Sequence, residues 1–303
     1  MSLLLRNVCR ASSQIGVGWQ TAPLHFPSLP NALFSSPPGR WLRGKIEPWQ
    51  IFRLAEEARL RPLLQKGAET HRDLLPPGAL LFASRARLNH IDALRTTAVG
   101  TGLTCHTELL ELGKTSFVIR QRLLSDLKSR TNVETDNFAT LDMQLVAVDG
   151  TTHKPIPHLA AARAGPRREI FFAWMDVDQF PDHVERVLVR PSDCDSYGHV
   201  NNAAFVQYAC DSVRSAIDGC HLKKWIGEKT WFASTLVDLS VSWHAQAHPR
   251  QELLARVYQL NSDAELRDML AVACEVVSND NRDECNIFRA VLHFAKTNDD
   301  KPH

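Results

Sequence analysis

Two carboxylates, one imidazole and two amides lie in one short stretch of the second half of the chain: Asp193, Asp195, His199, Asn201 and Asn202. A carboxylate can take a proton from water or attack an electrophilic carbon, and an imidazole can shuttle a proton near neutral pH. The same residue types also cap helices, and a lone Asp or Asn is more often a cap. The density of this cluster favours a catalytic interpretation over an elaborate helix cap.

A strand and a buried helix are predicted to hold the cluster between them. Residues 184–189 form an apolar run typical of a β-strand, and residues 202–217 predict a helix. Its apolar stripe repeats at helical spacing through Phe205, Ala209, Val213 and Ile217. Unpaired N–H groups and the positive end of the helix dipole favour anionic groups at such a junction.

The composition limits the functional classes. The chain has 303 residues, which predicts about two domains. A formal net charge of +1 gives no indication of a nucleic-acid partner. We predict no integral membrane segment, because no apolar run has the length needed to cross a bilayer. The seven cysteines are odd in number and contain no C-x-x-C pair, so a disulfide framework is not predicted.

The N-terminal stretch differs from the rest of the chain. The first 46 residues contain no Asp or Glu but carry several Arg and Ser residues. This pattern is typical of a mitochondrial presequence, and we predict that residues 1–39 form a targeting or disordered leader. The predicted location is the mitochondrial matrix. A cytoplasmic protein with a Pro/Ser-rich tail is the alternative.

Helix and strand patterns occur twice along the chain. The first set is a helix opened by Glu47-Pro48 and strands at residues 79–90, 99–112, 115–124 and 138–148. Pro62 is expected to end or kink the helix, and Gly113-Lys114 predicts a hairpin turn. Residues 151–182 form a linker candidate. After the second helix, strands are predicted at residues 231–244, 252–260, 266–277 and 286–295.

The order of these elements indicates a duplicated unit. A shift of about 154 positions brings Ala55 onto Ala209 and Glu57 onto Asp211. Each unit has one long helix and four or five antiparallel strands, which predicts an α+β fold with the sheet curled around the helix. The predicted domains are residues 40–150 and 183–297, joined by the linker and followed by a tail at residues 298–303.

The sequence of the cluster resembles a known family. Residues 190–205 read Arg-Pro-Ser-Asp-Cys-Asp-Ser-Tyr-Gly-His-Val-Asn-Asn-Ala-Ala-Phe, which is similar to the signature of the hotdog-fold acyl thioesterases. The resembling branch contains 4-hydroxybenzoyl-CoA and plant acyl-ACP thioesterases. The first half of the chain has weaker similarity to the same family at Glu56-Glu57-Ala58-Arg59, residues 112–117 and residues 148–157. The resemblance covers about residues 40–296 and implies a tandem, or double, hotdog, each a curved antiparallel sheet around a long central helix.

The resemblance also implies roles for individual residues. Asp195 matches the catalytic carboxylate, as general base for water or as nucleophile, and His199 would polarise the carbonyl or shuttle a proton. Backbone N–H groups of Gly198 to Val200 would stabilise the oxyanion. The predicted substrate-binding residues are Tyr197, Gly198, Val200, Asn201 and Asn202, the two Asn mainly orienting the loop and capping the helix. Asp193 is expected to be structural.

Two departures from the plant enzymes concern the same site. Tyr197 stands where those enzymes have an Asn. They also use an acidic residue on the strand after the helix, where Asp238, Ser240 or Ser242 would serve in this chain. In the first unit the shift places Trp41 opposite Asp195 and Lys45 opposite His199. We therefore expect a single active site at the interface of the two units, the first unit lending pocket walls.

Other candidate sites are weaker. His244 and His248 form a possible metal pair, but no third ligand is placed and no metal is predicted. Cys194 lacks an evident basic partner for a nucleophilic role. Residues Arg163, Arg167 and Arg168 either contact coenzyme A phosphates or belong to a solvated linker.

The sequence therefore predicts a cofactor-independent hydrolase that releases fatty acid from acyl-CoA or acyl-ACP. A homodimer of double hotdogs is a further possibility. The alternative is a non-catalytic hotdog protein, either an acyl-ligand sensor or a structural subunit of an assembly. A hotdog dehydratase fits less well, because its acid–base residues lie in a different motif.

Overall fold

The computed structural model describes most of the predicted elements. The described residues are 24–26, 47–64, 75–89, 103–125, 137–159, 180–219, 221–222, 235–260, 269–278 and 285–295. Contacts divide the chain into two compact units. Unit 1 comprises Met1–Leu29, Arg53–Ala86 and Gly100–Phe171, and unit 2 comprises Pro30–Phe52, Arg87–Val99 and Phe172–His303. The predicted domain boundaries stay a prediction.

The sheet of unit 1 is antiparallel in its β1–β3, β3–β4 and β4–β5 pairs, and its strands lie in the order β1-β3-β4-β5-β2. The strands are β1 (Leu24–Phe26), β2 (Ala79–Asn89), β3 (Leu103–Leu112), β4 (Ser116–Ser125) and β5 (Asn137–Asp149). The predicted turn at Gly113 is confirmed, since its N–H donates to the Ser116 carbonyl at 2.7 Å. β1 was not predicted, because it lies inside the Pro-rich stretch assigned to the leader.

Helix α1 (Pro48–Leu64) precedes β2 in the chain. Its buried side chains recur at helical spacing, with Ile51, Phe52, Ala55 and Ala58 almost fully covered. The helix runs two residues past Pro62, so this proline does not end it. A proline at this position removes the N–H that would donate to the Ala58 carbonyl, so the last turn continues without that hydrogen bond.

The strands of unit 2 lie in the order β7-β10-β9-β8-β6, and each neighbouring pair is antiparallel. They are β6 (His183–Leu188), β7 (Thr235–Trp243), β8 (Glu252–Gln259), β9 (Met269–Ser278) and β10 (Cys285–Ala295). The predicted strands agree with these bounds to within a few residues wherever the structure describes them. The antiparallel pairing and the few helices are those expected of an α+β fold.

Helix α2 (Asn202–Asp218) packs against β6, β8, β9 and β10. Of its predicted apolar stripe, Phe205, Ala209 and Val213 are buried and Ile217 is half-buried. Phe205 stacks on Phe288 of β10, with ring centroids 5.5 Å apart. This packing fixes the start of α2 next to the end of β6. Among the described residues, no helix combines the length and the apolarity that a membrane span requires.

Candidate active site

Asp193 connects the start of α2 to the segment after β6 through hydrogen bonds. It closes a single 3-10 turn, Pro191–Asp193, and its Oδ2 accepts hydrogen bonds from the Arg190 N–H at 3.0 Å and the Tyr208 hydroxyl at 2.7 Å. Its carbonyl accepts from the Asn201 N–H at 2.8 Å. Burial, together with the hydrogen bond to Asp193, raises the pKa of Tyr208 and keeps this hydroxyl a donor. These bonds favour the structural role for Asp193.

Asp195 uses one carboxylate oxygen to hold its own loop. Its Oδ1 accepts from the Tyr197 N–H at 2.8 Å and, more weakly, from the His199 N–H at 3.4 Å. The Asp195 N–H donates to the His199 carbonyl at 2.8 Å. Among the described residues, none donates a hydrogen bond to Oδ2, and the residue is exposed. One oxygen is therefore held in place while the other remains accessible to water or a ligand.

Gly198 allows this loop to turn back on itself. Its φ of +79° lies in the left-handed region that side chains other than glycine rarely adopt. A Cβ at this position would meet nothing within 4 Å, so the requirement is one of backbone conformation and not of space. An isolated bridge between Cys194 and Val200 closes the loop. Tyr197, at its tip, is 62% exposed.

The backbone donors differ from those expected for the oxyanion. The Gly198 N–H donates to the Asp195 carbonyl at 3.1 Å, and the Val200 N–H donates to the Ala247 carbonyl at 2.9 Å. Both groups are therefore engaged and are not available as the sequence suggested. Ala247 lies in the loop after β7, far from Val200 in the sequence. The motif alone therefore could not predict that this carbonyl accepts from the Val200 N–H.

The first turn of α2 leaves one donor without an acceptor. The Asn201 side chain caps the helix, since its Oδ1 accepts from the Ala203 N–H at 2.8 Å, as expected. The Asn201 carbonyl accepts from the Ala204 N–H at 2.9 Å. Among the described residues, none accepts a hydrogen bond from the Asn202 N–H. The first helical N–H, at the positive end of the helix dipole, is therefore the donor still available.

His199 lies against a second histidine. The half-buried ring of His199 meets the ring of His248 edge to face, with centroids 5.0 Å apart. His244, the other member of the suggested metal pair, has its Nε2 2.8 Å from the Ser242 hydroxyl. In the part of the chain that the structure describes, no three His, Cys, Asp or Glu side chains are grouped to hold a metal ion. His248 follows β7 in the chain, and the sequence did not identify it as the partner of His199.

The acidic residue on β7 is already engaged. Asp238 Oδ1 lies 2.8 Å from Arg87 Nε, and Oδ2 lies 3.4 Å from His293 Nδ1. Burial acts to raise the pKa of Asp238, but hydrogen bonds from His293 and Arg87 outweigh it and hold the pKa below its usual range. Of the three suggested residues on this strand, Asp238 is thus part of an ion pair, and Ser242 is bound to His244.

Cys194 is poorly suited to be a nucleophile. Burial and the neighbouring Asp193 and Asp195 carboxylates raise the pKa of its thiol. A reactive cysteine needs the opposite shift, because the thiolate is the nucleophile. The remaining suggestions, Arg163, Arg167, Arg168, Trp41 and Lys45, lie outside the described residues.

Comparison with known proteins agrees with the motif. Residues 189–302 match the family model of the thioesterase-like superfamily, a region that starts just before the Asp193–Asn202 cluster. No match was found among curated protein sequences. The match and the fold similarities below confirm the predicted resemblance to hotdog-fold thioesterases.

Several solved structures have the same fold over nearly the whole chain. A Lactobacillus plantarum protein described as an oleoyl thioesterase superposes with a TM-score of 0.67 and 12% identity, covering 92% of this chain and 97% of that chain. The 12:0-ACP thioesterase of Umbellularia californica gives 0.65 and 12%, covering 91% and 94%. A Bacteroides thetaiotaomicron acyl-ACP thioesterase gives 0.61 and 11%, covering 90% and 97%. At such low identity the similarity is one of fold.

Proposed function

We propose that the protein hydrolyses acyl thioesters and that Asp195 carries the reaction. The observation that supports this most is the arrangement of the Asp195 carboxylate. Its Oδ1 is fixed by loop N–H groups and its Oδ2 is accessible, at the entrance of α2 in the region that matches the thioesterase-like superfamily. A positioned and accessible carboxylate is what water activation requires.

The proposed reaction begins with a water molecule at Asp195 Oδ2. The carboxylate takes one proton from the water as its oxygen bonds to the thioester carbonyl carbon, giving a tetrahedral intermediate. The carbon–sulfur bond then breaks, and the departing sulfur receives the proton held by Asp195. The products are a carboxylic acid and a free thiol, and Asp195 returns to its ionised form. No cofactor is needed to balance this reaction.

The Asn202 N–H is the proposed oxyanion donor in place of Gly198 and Val200. It is the first N–H of α2, and the helix dipole adds to its effect on a developing negative charge. His199 would orient the carbonyl or relay a proton, with His248 limiting the motion of its ring. Asn201 would act indirectly, by fixing the first turn of the helix through its cap.

We further propose that the substrate is a fatty acyl group carried on coenzyme A or acyl carrier protein, and that each unit is a hotdog with α1 or α2 as its central helix. The proteins with similar folds are described as acyl-ACP and oleoyl thioesterases, which supports this substrate class. The buried stripe of α2 and its packing on four strands of unit 2 support the central position of that helix.

A panel of thioesters tests the proposed function. Purified full-length protein is incubated with acyl-CoA and acyl-ACP of increasing chain length, and thiol release is followed with a thiol-reactive dye. We expect saturable release for at least one chain length, above the rate of a sample denatured by heat. Binding without release across the whole panel would contradict hydrolysis. It would support the second candidate, a non-catalytic acyl-thioester sensor, which the engaged Gly198 and Val200 donors favour.

Turnover in ¹⁸O-labelled water separates the two roles of Asp195. If the carboxylate activates water, the label appears in the released fatty acid and the protein stays unlabelled. Label in the Asp195 carboxylate after repeated turnovers would instead indicate an acyl-anhydride intermediate, in which Asp195 is the nucleophile.

The location of the protein is a separate proposal. We propose that a mitochondrial leader is removed before Leu24, because β1 pairs with β3 and thus belongs to the folded unit 1. N-terminal sequencing of the protein recovered from mitochondria would show a mature chain that retains Leu24–Phe26. Recovery of the uncleaved chain from the cytosol alone would contradict this.

A further inference from the structure

Strand β6 lies at the edge of the unit 2 sheet. It pairs with β8 on one side, from His183 opposite Val257 to Leu188 opposite Glu252. Among the described residues, no strand pairs with its other side. An open strand edge presents N–H and C=O groups to which another strand can add, and proteins normally cover such an edge or place charges along it. The outer side of β6 is therefore a candidate interaction surface.

Alternate residues of β6 direct their backbone groups to this open side. The Val189 N–H donates to the Gln251 carbonyl at 3.0 Å, and the Val189 carbonyl accepts from the Arg250 N–H at 2.9 Å. Since residue 189 thus directs both groups to the β8 side, the alternation of an antiparallel ladder leaves the even-numbered residues facing outward. The even-numbered residues of β6 are Val184, Arg186 and Leu188.

The side chains of the same residues lie in solvent. Val184 is 47% exposed and Leu188 is 63% exposed, and Phe180, just before the strand, is 95% exposed. The side chain of Arg186, between the two aliphatic residues, is 80% exposed. A single charge between two exposed aliphatic groups protects an edge only weakly against pairing. Removing these apolar groups from water favours association.

A second copy of the chain is complementary to this edge in one register. Two copies related by a twofold axis pair antiparallel, and side chains of the same sheet face meet when the axis passes through a residue. With the axis at Val184, this residue lies opposite itself, and Arg186 lies opposite Asp182 of the second copy. Leu188 reaches Phe180 of the second copy. Opposite charges and apolar side chains are therefore matched, each pair occurring twice.

Registers with the axis further along β6 are less favourable. An axis at Arg186 sets this cation opposite itself, and an axis at Leu188 sets it opposite Arg190. An axis at Glu185 sets two carboxylates opposite each other. Like charges directly opposite destabilise a strand pair. An axis at Val187 avoids like charges, but it pairs Arg186 with Leu188 and so matches no charge.

Asp182 and Arg186 are both available for the pairing with the axis at Val184. The Asp182 Oδ2 accepts from the Gln259 N–H at 2.7 Å, which holds the carboxylate beside the edge, and in the described part of the chain no group donates to its Oδ1. Arg186 Nη1 lies 3.7 Å from Glu252, whose side chain is half exposed. Such a surface ion pair contributes little, so it does not prevent Arg186 from turning to a new carboxylate.

We propose that the protein forms a twofold dimer through the outer side of β6, with the axis at Val184. The two strands add backbone hydrogen bonds across the axis, and the exposed aliphatic residues of each copy cover those of the other. The homodimer suggested by the sequence is thus assigned a specific surface. The association does not depend on Asp195 or on thioester hydrolysis.

Sedimentation equilibrium of the full chain, at concentrations up to about 100 μM, measures the association. We expect the wild type to dimerise. Val184→Lys and Val184→Glu should each weaken the dimer at least about tenfold, because each variant sets two like charges at the axis. A wild type that stays monomeric throughout, or a dimer that neither variant weakens, would overturn the proposal.

An equimolar mixture of Val184→Lys and Val184→Glu tests the register. In a mixed dimer the ammonium group lies opposite the carboxylate, so the mixture should associate at least about tenfold more tightly than either variant alone. Restored association also shows that both variants are folded. A mixture that associates no more tightly than its components would overturn the register with the axis at Val184.

Leu159→Lys is the matched control. Leu159 is also an exposed aliphatic residue, 41% exposed, but it lies in unit 1 and outside β6. The variant makes the same kind of change, and the dissociation constant of its dimer should stay within about threefold of the wild-type value. Weakening as large as that in Val184→Lys would indicate a general effect of charge or apolar surface, and it would overturn the assignment of the interface to β6.

Discussion

Helices α1 and α2 share their buried positions but carry their polar chemistry in different places. The shift of about 154 positions brings buried residues onto buried residues at four pairs: Ile51 and Phe205, Phe52 and Val206, Ala55 and Ala209, Ala58 and Ser212. In α2 the polar groups precede the first turn, and the body is apolar at Val213. In α1 the body carries Arg59 at the matching position.

This difference shows two ways of placing charge next to a helix. At the start of α2, an accessible loop holds the Asp195 carboxylate through its own N–H groups without burying it. In the body of α1, the cation contacts buried residues and depends on partners from the sheet, such as Gln121. The first arrangement leaves a carboxylate accessible for chemistry, and the second keeps a cation among buried partners.

The largest effect on stability is expected at Asp193, which links the loop before α2 to Tyr208 on the helix. Asp193→Ala removes the acceptor of the Tyr208 hydroxyl and of the Arg190 N–H. A hydrogen bond to a charged group contributes about 1.5–3 kcal/mol, so urea unfolding should show a loss of this size. Tyr208→Phe should reproduce most of it.

A variant at the start of α1 is the control for Asp193→Ala. Gln50→Ala removes the bond from the Glu47 N–H to the Gln50 amide, which is 2.7 Å long. It should lower the free energy of unfolding by about 1 kcal/mol and leave thioester hydrolysis unchanged. A fall of hydrolysis in Gln50→Ala would break the distinction between the two helix entrances.

Two glycines with the same backbone conformation test the loop before α2. Gly198 and Gly78 both have φ of +79°, and a Cβ on either meets nothing within 4 Å. Alanine at each should cost about 1–2 kcal/mol through backbone conformation alone. Only Gly198→Ala should also slow hydrolysis, by about tenfold, because it shifts the loop that holds Asp195. Equal rates in both variants would show that the loop geometry does not matter.

The effect expected at Asp238 depends on pH. Because the pKa of Asp238 is held below its usual range, its ion pair with Arg87 stabilises the fold above about pH 4, the unfolded value. That stabilisation is lost as pH falls through the lower folded pKa. Asp238→Asn should therefore be less stable than the wild type at pH 7, by about 1 kcal/mol, and the difference should shrink in acid.

The exposed pair of Arg186 and Glu252 is the control for Asp238. Its side chains are 80% and 50% exposed and 3.7 Å apart. Glu252→Gln should leave the unfolding midpoint unchanged at every pH, because surface ion pairs contribute little. A pH-dependent difference in Glu252→Gln as large as that of Asp238→Asn would indicate a general charge effect.

Most of the fold could be predicted from local patterns. Helix α2 was predicted at residues 202–217 and is observed at Asn202–Asp218, because a broad apolar stripe and a polar cap mark it clearly. β1 was missed because three residues between prolines carry no periodic signal. The 3-10 turn was missed because it depends on the bonds of Asp193 and not on composition.

The candidate site was predictable in its residue types but not in its hydrogen bonds. The motif identified Asp195 and the helix cap at Asn201, but the Val200 N–H is engaged by Ala247 from a distant loop. In the same way, Arg59 of α1 was noted in a weak motif, while its partner Gln121 lies on β4. Contacts between elements distant in the chain decide which groups remain available.

The central claim is that Asp195 carries hydrolysis, and one paired measurement tests it directly. The acyl thioester that the wild type hydrolyses fastest in the substrate panel is used for both measurements. Its binding and the release of thiol from it are measured on wild type and Asp195→Asn. We predict that turnover falls at least about a hundredfold, the scale of a lost acid–base group, while the dissociation constant changes by less than about threefold. Unchanged turnover in Asp195→Asn would contradict the claim.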